Sequence, residues 1–309
     1  MKIAITGATG FIGVPLVNAL QSRHEVVALV RDKARAAEKL PGVECVEANL
    51  ESPGPWCSVL GRIDAIAHLA GESIGGKRWD ARQKQKIRDS RVESTRTIVE
   101  AIAKLPHNKR PSTLVCASGA DYYPFAVGIG DFDDDAVTEA DPPADTFLGR
   151  LCRDWEKEAH AATSLGLRVV NLRTGLVFGP HGGALDKMKK PFQLFAGGRI
   201  GDGRQFVTWI SLDDAVGGYV SALTDPRYVG PINLVTSSTR NAQLSHTLGH
   251  VMHRPSLVPV PGFAIKVAVG AELAESILHG RNVVPARLRE LGFAWQHPTL
   301  EDTLRAALP

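Results

Sequence analysis

Thr6-Gly7-Ala8-Thr9-Gly10-Phe11-Ile12-Gly13 follows the apolar run Met1-Lys2-Ile3-Ala4-Ile5. The run predicts a short buried strand. The stretch after it predicts a tight turn into a helix that begins near Phe11 and continues to about Ser22. Glycines 7, 10 and 13 are spaced G-x-x-G-x-x-G. Gly7 suits the tight turn, Gly10 lets backbone approach a pyrophosphate, and Gly13 lets the helix pack against the strand. Thr9, Phe11 and Ile12 complete the turn. The helix start then offers free N–H groups and a positive dipole end to phosphate. A second strand over 25–30 supplies the context that such a glycine turn requires.

Outward from this stretch, strand and helix patterns alternate. Strands are expected over 43–48, 65–70, 113–118 and 168–172, and helices over 33–39, 79–105 and 145–165. Alternation at this spacing implies an α/β fold: a doubly wound parallel sheet with helices on both faces. Beyond Gly179 the pattern loosens. Loops over 180–183 and 197–203 precede a helix start at 211–215, a strand over 231–235, and helices over 241–253 and 263–278. The expected division is a dinucleotide-binding domain over 1–180, to which 205–235 returns a helix and a strand. A smaller C-terminal substrate lobe then takes 181–204 and 236–309. Substrate is expected between lobe and sheet, at the strand carboxyl ends.

The chain's 309 residues carry a formal charge of +3 and no basic tract, so no nucleic-acid partner is expected. No apolar run is long enough to span a bilayer, and no secretory signal is expected before the first strand. Cys45, Cys57, Cys116 and Cys152 form no C-x-x-C pair and read as free thiols of a cytoplasmic protein. The acidic stretch 131–135 reads as a solvated loop. His246, His250 and His253 have helical spacing but no Glu or Cys beside them, so surface histidines are expected and no metal site.

The carrying strings go further. They are Thr6-Gly7-x-x-Gly10-x-x-Gly13, His68-Leu69-Ala70-Gly71-Glu72, Leu172-Arg173 leading to Gly179-Pro180, and Gly201-Asp202-Gly203-x-Gln205 before Asp213-Asp214-Ala215. Over nearly its whole length the chain resembles the extended short-chain dehydrogenase/reductase superfamily, with a Rossmann-type fold. Arg88-Asp89-Ser90-Arg91-Val92-Glu93-Ser94-Thr95, Cys152-Arg153-Asp154-Trp155-Glu156 and Pro191-Phe192 narrow the likeness to its atypical epimerase-family branch with an uncharacterised C-terminal domain. The resemblance implies a nicotinamide cofactor and a small-molecule substrate. It leaves the oligomeric state between monomer and homodimer.

In a dinucleotide fold the second strand ends beside the adenosine ribose, where an acid favours NAD and an arginine favours NADP. Here it ends Leu29-Val30-Arg31-Asp32, with Arg35 on the next helix. Arg31 comes first and can pair with phosphate, so NADP(H) is expected over NAD. Asn49 and Leu50 are expected to flank the adenine. Leu69, Ala70, Gly71 and Glu72 are expected to run beneath the pyrophosphate and nicotinamide ribose. Arg91 is expected to point a polar group at the cofactor, and Phe178 to lie against the nicotinamide.

The superfamily's chemistry implies a Ser, Tyr and Lys, the phenol acting as acid and base. Ser118 matches the serine. If Glu156 takes the place of the Glu four beyond the Lys, Cys152 stands at the Lys place and Leu148 at the Tyr place. Shifted by one, the pair is Leu151 and Phe147. Tyr122 and Tyr123, just after the fifth strand, are the remaining phenols in reach and stand as candidate acids with Ser118. Arg199 and Arg204 flank a glycine-rich loop and, with Trp209, are expected to meet an anionic substrate. Two readings stay open: an oxidoreductase or sugar-nucleotide-epimerase-like enzyme, or a catalytically degenerate NADPH-binding sensor or scaffold.

Overall fold

In the computed structural model, which describes residues 1–124 and 135–308, the apolar run of the opening stretch is an interior strand of a sheet. The strands are Lys2–Thr6 (β1), Glu25–Val30 (β2), Glu44–Glu47 (β3), Ala65–His68 (β4), Thr113–Gly119 (β5), Ala136–Val137 (β6) and Arg168–Thr174 (β7). Leu176–Phe178 (β8), Phe206–Ser211 (β9), Gly230–Leu234 (β10), Ser237–Arg240 (β11) and Asn282–Val283 (β12) follow. Seven of them form a parallel sheet in the order β10-β7-β5-β4-β1-β2-β3. The order reverses at β1, between β2 and β4, which opens a crevice at the carboxyl ends. Thr6 is in register with both Leu29 and His68, so those ends line up.

Side chains of these strands alternate between two cores, as a period of two requires. Ile3, Ile5, Val26 and Ala28 pack on one face with Gly13–Leu20 (α1), Lys33–Lys39 (α2) and, across the sheet, Leu212–Thr224 (α7). Ala4, Val27, Leu29 and Ile66 face the other way, onto Ala81–Asp89 (α3), Val92–Ala103 (α4) and Phe147–His160 (α5). Leu16, Val17 and Leu20 of α1 are fully buried, each contributing about 1.5–3 kcal/mol.

Leu185–Gln193 (α6), Asn241–Val251 (α8) and Leu300–Ala307 (α12) pack over the three-stranded sheet β11-β9-β8 and enclose a third core. Gly262–Val269 (α9) and Ala271–Leu278 (α10) pack on each other, and Ala286–Glu290 (α11) returns to β10 with Leu288 in the first core. Asp214 ties this lobe to α7. Its buried carboxylate accepts from the Gln296 and His297 amides at 2.6 and 3.2 Å and from the Ser211 hydroxyl at 2.6 Å.

Several elements differ from expectation. The helix expected over 79–105 is two helices, broken at Ser90 and Arg91. That expected over 263–278 breaks at Gly270, whose φ of 91° no helix tolerates. The first helix starts at Gly13 rather than near Phe11. The stretch 145–165 is one helix followed by a single tight turn. Within the acidic stretch, 131–134 lie outside the described residues. All four cysteines are unpaired. Among the described residues no helix is long and apolar enough to cross a membrane.

Candidate functional site

The three glycines of the turn meet different surroundings. Gly7 has φ +68°, and a Cβ there would press on the Leu69 carbonyl and Ala70 amide at 2.9 Å. A Cβ on Gly13 would run into the Gly7 carbonyl oxygen. These two close the turn onto β4 and onto itself. Gly10 donates its amide to the Gly7 oxygen at 2.9 Å, and its outer side is open except for that oxygen. A cradle that only an absent Cβ leaves open fits a pyrophosphate. Thr9 and Ile12 are half-buried on either side of it. The Phe11 ring packs against the loop of Gly179, Gly182 and Gly183.

A buried hydrogen-bond chain fixes β4 beside this turn. Thr6 Oγ1 accepts from the Leu69 and Ala70 amides, both at 3.1 Å. With both lone pairs engaged, its O–H donates to His68 Nδ1 at 2.7 Å. The imidazole proton therefore sits on Nε2 and donates to Ser94 Oγ at 3.2 Å. Full burial beside Arg91 pushes His68 down to about 3, so the ring stays neutral.

The helix break places Arg91. Ser90 Oγ accepts from the Glu72 amide at 2.9 Å, and Arg91 Nη1 turns back to the carbonyls of Glu72 and Ile87 at 3.0 and 3.1 Å. Its guanidinium lies flat under Gly71, where a Cβ would stand 3.0 Å from Cζ. Arg91 Nε and Nη2 have no partner among the described residues. Glu72 takes part through its backbone, its carboxylate hydrogen-bonded only to Gln83, at 3.4 Å, among the described residues.

At the end of β2, Arg31, Asp32 and Arg35 are all exposed. Asp32 caps α2, accepting from the Arg35 amide at 3.0 Å. Neither arginine has an ion-pair partner among the described residues. Asn49 is exposed after β3, its amide group turned to Ser52 and to the Glu51 N–H. Leu50 beside it is half-buried. The residues present thus fit a dinucleotide bearing a 2′-phosphate.

The expected catalytic residues are placed otherwise. Ser118 is buried and donates to Glu156 Oε1 at 2.7 Å. Arg173 grips Glu156 with two bonds of 2.8 Å and donates to the Tyr123 hydroxyl at 2.8 Å. Tyr123 is 1% exposed and donates to Asn233 Oδ1 at 2.6 Å. Tyr122 lies with its ring 3.4 Å from the Arg173 guanidinium and lines a groove with Arg153, Lys157 and Pro231 on the outer side of α5. Tyr123 and Ser118 are thus members of a buried polar web. Burial raises both phenols, and the Arg173 charge offsets this only in part. Leu148 and Cys152, at the Tyr and Lys places, are buried too.

Two of the expected aromatics are interior. Phe178 and Trp209 are each 1% exposed and belong to the lobe core. Trp209 Nε1 donates to Thr239 Oγ1 at 3.0 Å. An aromatic of the right position fills a core as readily as it walls a pocket. Arg199 and Arg204 are exposed on a loop held against α8 and residues 256–260. Sequence reasoning passed over Asp121, an exposed carboxylate at the end of β5. Its position directly after that strand was the available signal.

Residues 3–234 match the model of the NAD dependent epimerase/dehydratase family. The chain belongs to this family. Residues 260–307 match a domain of unknown function, DUF1731. The chain is 36% identical to the "epimerase family protein SDR39U1 homolog, chloroplastic" of Arabidopsis thaliana, over 100% of this chain and 87% of that one. A crystal structure of human epimerase family protein SDR39U1 (isoform 2) with NADPH is similar at a TM-score of 0.84 and 30% identity, covering 99% of each chain. A nucleoside-diphosphate sugar epimerase from Corynebacterium glutamicum follows at 0.78 and 29% identity, covering 100% of this chain and 58% of that one.

Proposed function

We propose that this chain is an NADP(H)-dependent oxidoreductase acting in the cytoplasm on a small, anionic molecule at a carbon that bears oxygen. The observation that carries the cofactor choice is the end of β2. Asp32, the one acid there, is turned into α2 as its cap, and Arg31 and Arg35 are left exposed without an anion. A 2′-phosphate supplies that anion, and a ribose hydroxyl does not. The human relative's NADPH supports the same choice.

A nicotinamide dinucleotide supplies or accepts a hydride when bound. The chain's own residues bind and orient it. The turn over 7–13 offers backbone N–H groups to the pyrophosphate. Gly71 leaves the ribose side bare of side chain, with the unpaired Arg91 nitrogens beneath it. Arg199 and Arg204 on the lobe support an anionic substrate.

Burial of Leu148 and Cys152 at the Tyr and Lys places favours the second reading, a sensor that binds NADPH without turnover. The two readings share the cofactor site. Isothermal titration tests it with NADPH and NADH on the parent chain and on Arg31→Ala. NADPH should bind about tenfold tighter or better, and Arg31→Ala should lose that margin while NADH affinity holds. Equal affinities in the parent chain would overturn the assignment.

A further inference from the structure

The strand order sets where the two halves of a dinucleotide lie. With the 2′-phosphate at β2 and the pyrophosphate at β1, the other half extends across β4 towards β5. The backbone after β5 turns at once, and Ala120, Asp121 and Tyr122 make a single 3-10 turn there. Gly119 precedes it. A Cβ on Gly119 would stand 3.5 Å from Cys152 Sγ and 3.9 Å from Asp121 Oδ2. Thiol and carboxylate thus converge on one bare stretch of backbone at the nicotinamide end of the crevice. Asp121 is open to water and makes no hydrogen bond or ion pair with any described residue.

We propose that Asp121 is the acid and base of this chain's hydride-transfer chemistry. The proposal rests on the reading of the chain as an NADP(H)-dependent oxidoreductase. In the reducing direction the substrate's carbonyl carbon gains a hydride, two electrons and a proton, from the reduced nicotinamide, which is oxidised. The C=O π bond breaks, and its oxygen takes the proton from the Asp121 carboxyl. The O–H bond of the carboxyl breaks, the carboxylate remains, and water returns its proton. Oxidation of the alcohol runs the same steps backwards.

The surroundings suit an acid better than they suit either phenol. The Asp121 side chain is exposed, but partial desolvation by the protein around the carboxyl raises it from 3.8 to about 6. A proton donor and acceptor works best with a value near the working pH. No cation among the described residues forms an ion pair with it: Arg173 is committed to Glu156, and Arg91 turns Nη1 to two carbonyls. Among the described residues the group that faces it is Cys152 on α5; Glu156 on the same helix and Arg91 stand next to Cys152, and Arg173 on β7 stands next to Tyr122 of the Asp121 turn. Desolvation raises the Cys152 thiol to about 12 and holds His68 neutral, so neither changes charge near neutrality.

The test needs no substrate. The nicotinamide ring is positively charged in NADP+ and neutral in NADPH, and the 2′-phosphate is common to both. The ratio of the two dissociation constants therefore cancels the phosphate and reads charge beside the ring. Titrate the parent chain, Asp121→Asn and Asp121→Glu with each dinucleotide at about pH 5 and about pH 7.5, either side of the Asp121 value. In the parent chain the ratio should shift towards NADP+ at the higher pH by about threefold or more, the size of a unit-charge attraction across a solvated cleft. Asp121→Asn should bind both forms with a pH-independent ratio, and Asp121→Glu should keep the dependence. A ratio that does not move in the parent chain, or that moves equally in Asp121→Asn, overturns the proposal. If neither dinucleotide binds at either pH, the cofactor reading itself fails, and this proposal with it.

Discussion

Tyr123 shows how a residue of catalytic type becomes part of the frame. Its hydroxyl accepts from Arg173 and donates to Asn233, with its ring 1% exposed. Tyr123→Phe leaves two buried polar groups short of a partner. It should lower the unfolding free energy by about 1–3 kcal/mol in a urea titration, with NADPH affinity unchanged. Weakened NADPH binding at unchanged stability would put the phenol in the cleft after all. Asp121 behaves in the opposite sense. Its carboxyl is raised from 3.8 to about 6 in the folded chain. The folded state then holds its proton more tightly than the unfolded state. Stability is lost as pH rises from the ordinary value through the folded one. Asp121→Asn should therefore melt higher than the parent chain at about pH 7.5 and match it at about pH 3.5. A melting point that stays below the parent's at both pH values would show that the carboxylate supports the fold.

At the scale of elements, the β1–turn–α1 unit is local, and its reading from sequence is correspondingly complete. Each glycine's task depends on neighbours within a few residues or on the adjoining strand. Gly10 is the sharpest case, because a Cβ there meets only the Gly7 oxygen, at 3.0 Å, and otherwise open space. Gly10→Val should fold with a near-native circular dichroism spectrum and lose NADPH affinity by about a hundredfold or more, since the branch fills the pyrophosphate's place. Retained affinity would move the cofactor away from this turn. The break between α3 and α4 is the opposite case. Nothing in Arg88-Asp89-Ser90-Arg91 interrupts a helical pattern. The break is held by Ser90 accepting from Glu72, eighteen residues earlier, and by the return of Arg91 to the Glu72 carbonyl. Contacts of that range leave no local signal. Ser118 is similar: its partner Glu156 is thirty-eight residues away, and only the fold brings them together.

For the whole molecule, alternating strands and helices make the parallel sheet legible, because each unit repeats the same pattern; the strand order and its switch point at β1 emerge only in the fold. The lobe was less so. Its strands β8, β9 and β11 are three to six residues long and pair across long stretches of chain. The amides of Gln296 and His297 reach Asp214 across more than eighty residues. Phe178 and Trp209 lie in the lobe core, which aromatic character alone does not tell from a cleft wall. The central claim is that the carboxyl ends of β1, β2 and β4 form one dinucleotide site that recognises a 2′-phosphate. Amide hydrogen exchange of the whole chain, read by mass spectrometry with and without NADPH, tests it most directly. The account predicts one footprint with slowed exchange over 7–13, 31–36 and 69–72 and none over α8. NADH at equal occupancy should protect the first and third segments and leave the second as in the free chain. Exchange over 7–13 and 31–36 that NADPH leaves unchanged at saturation would contradict the account.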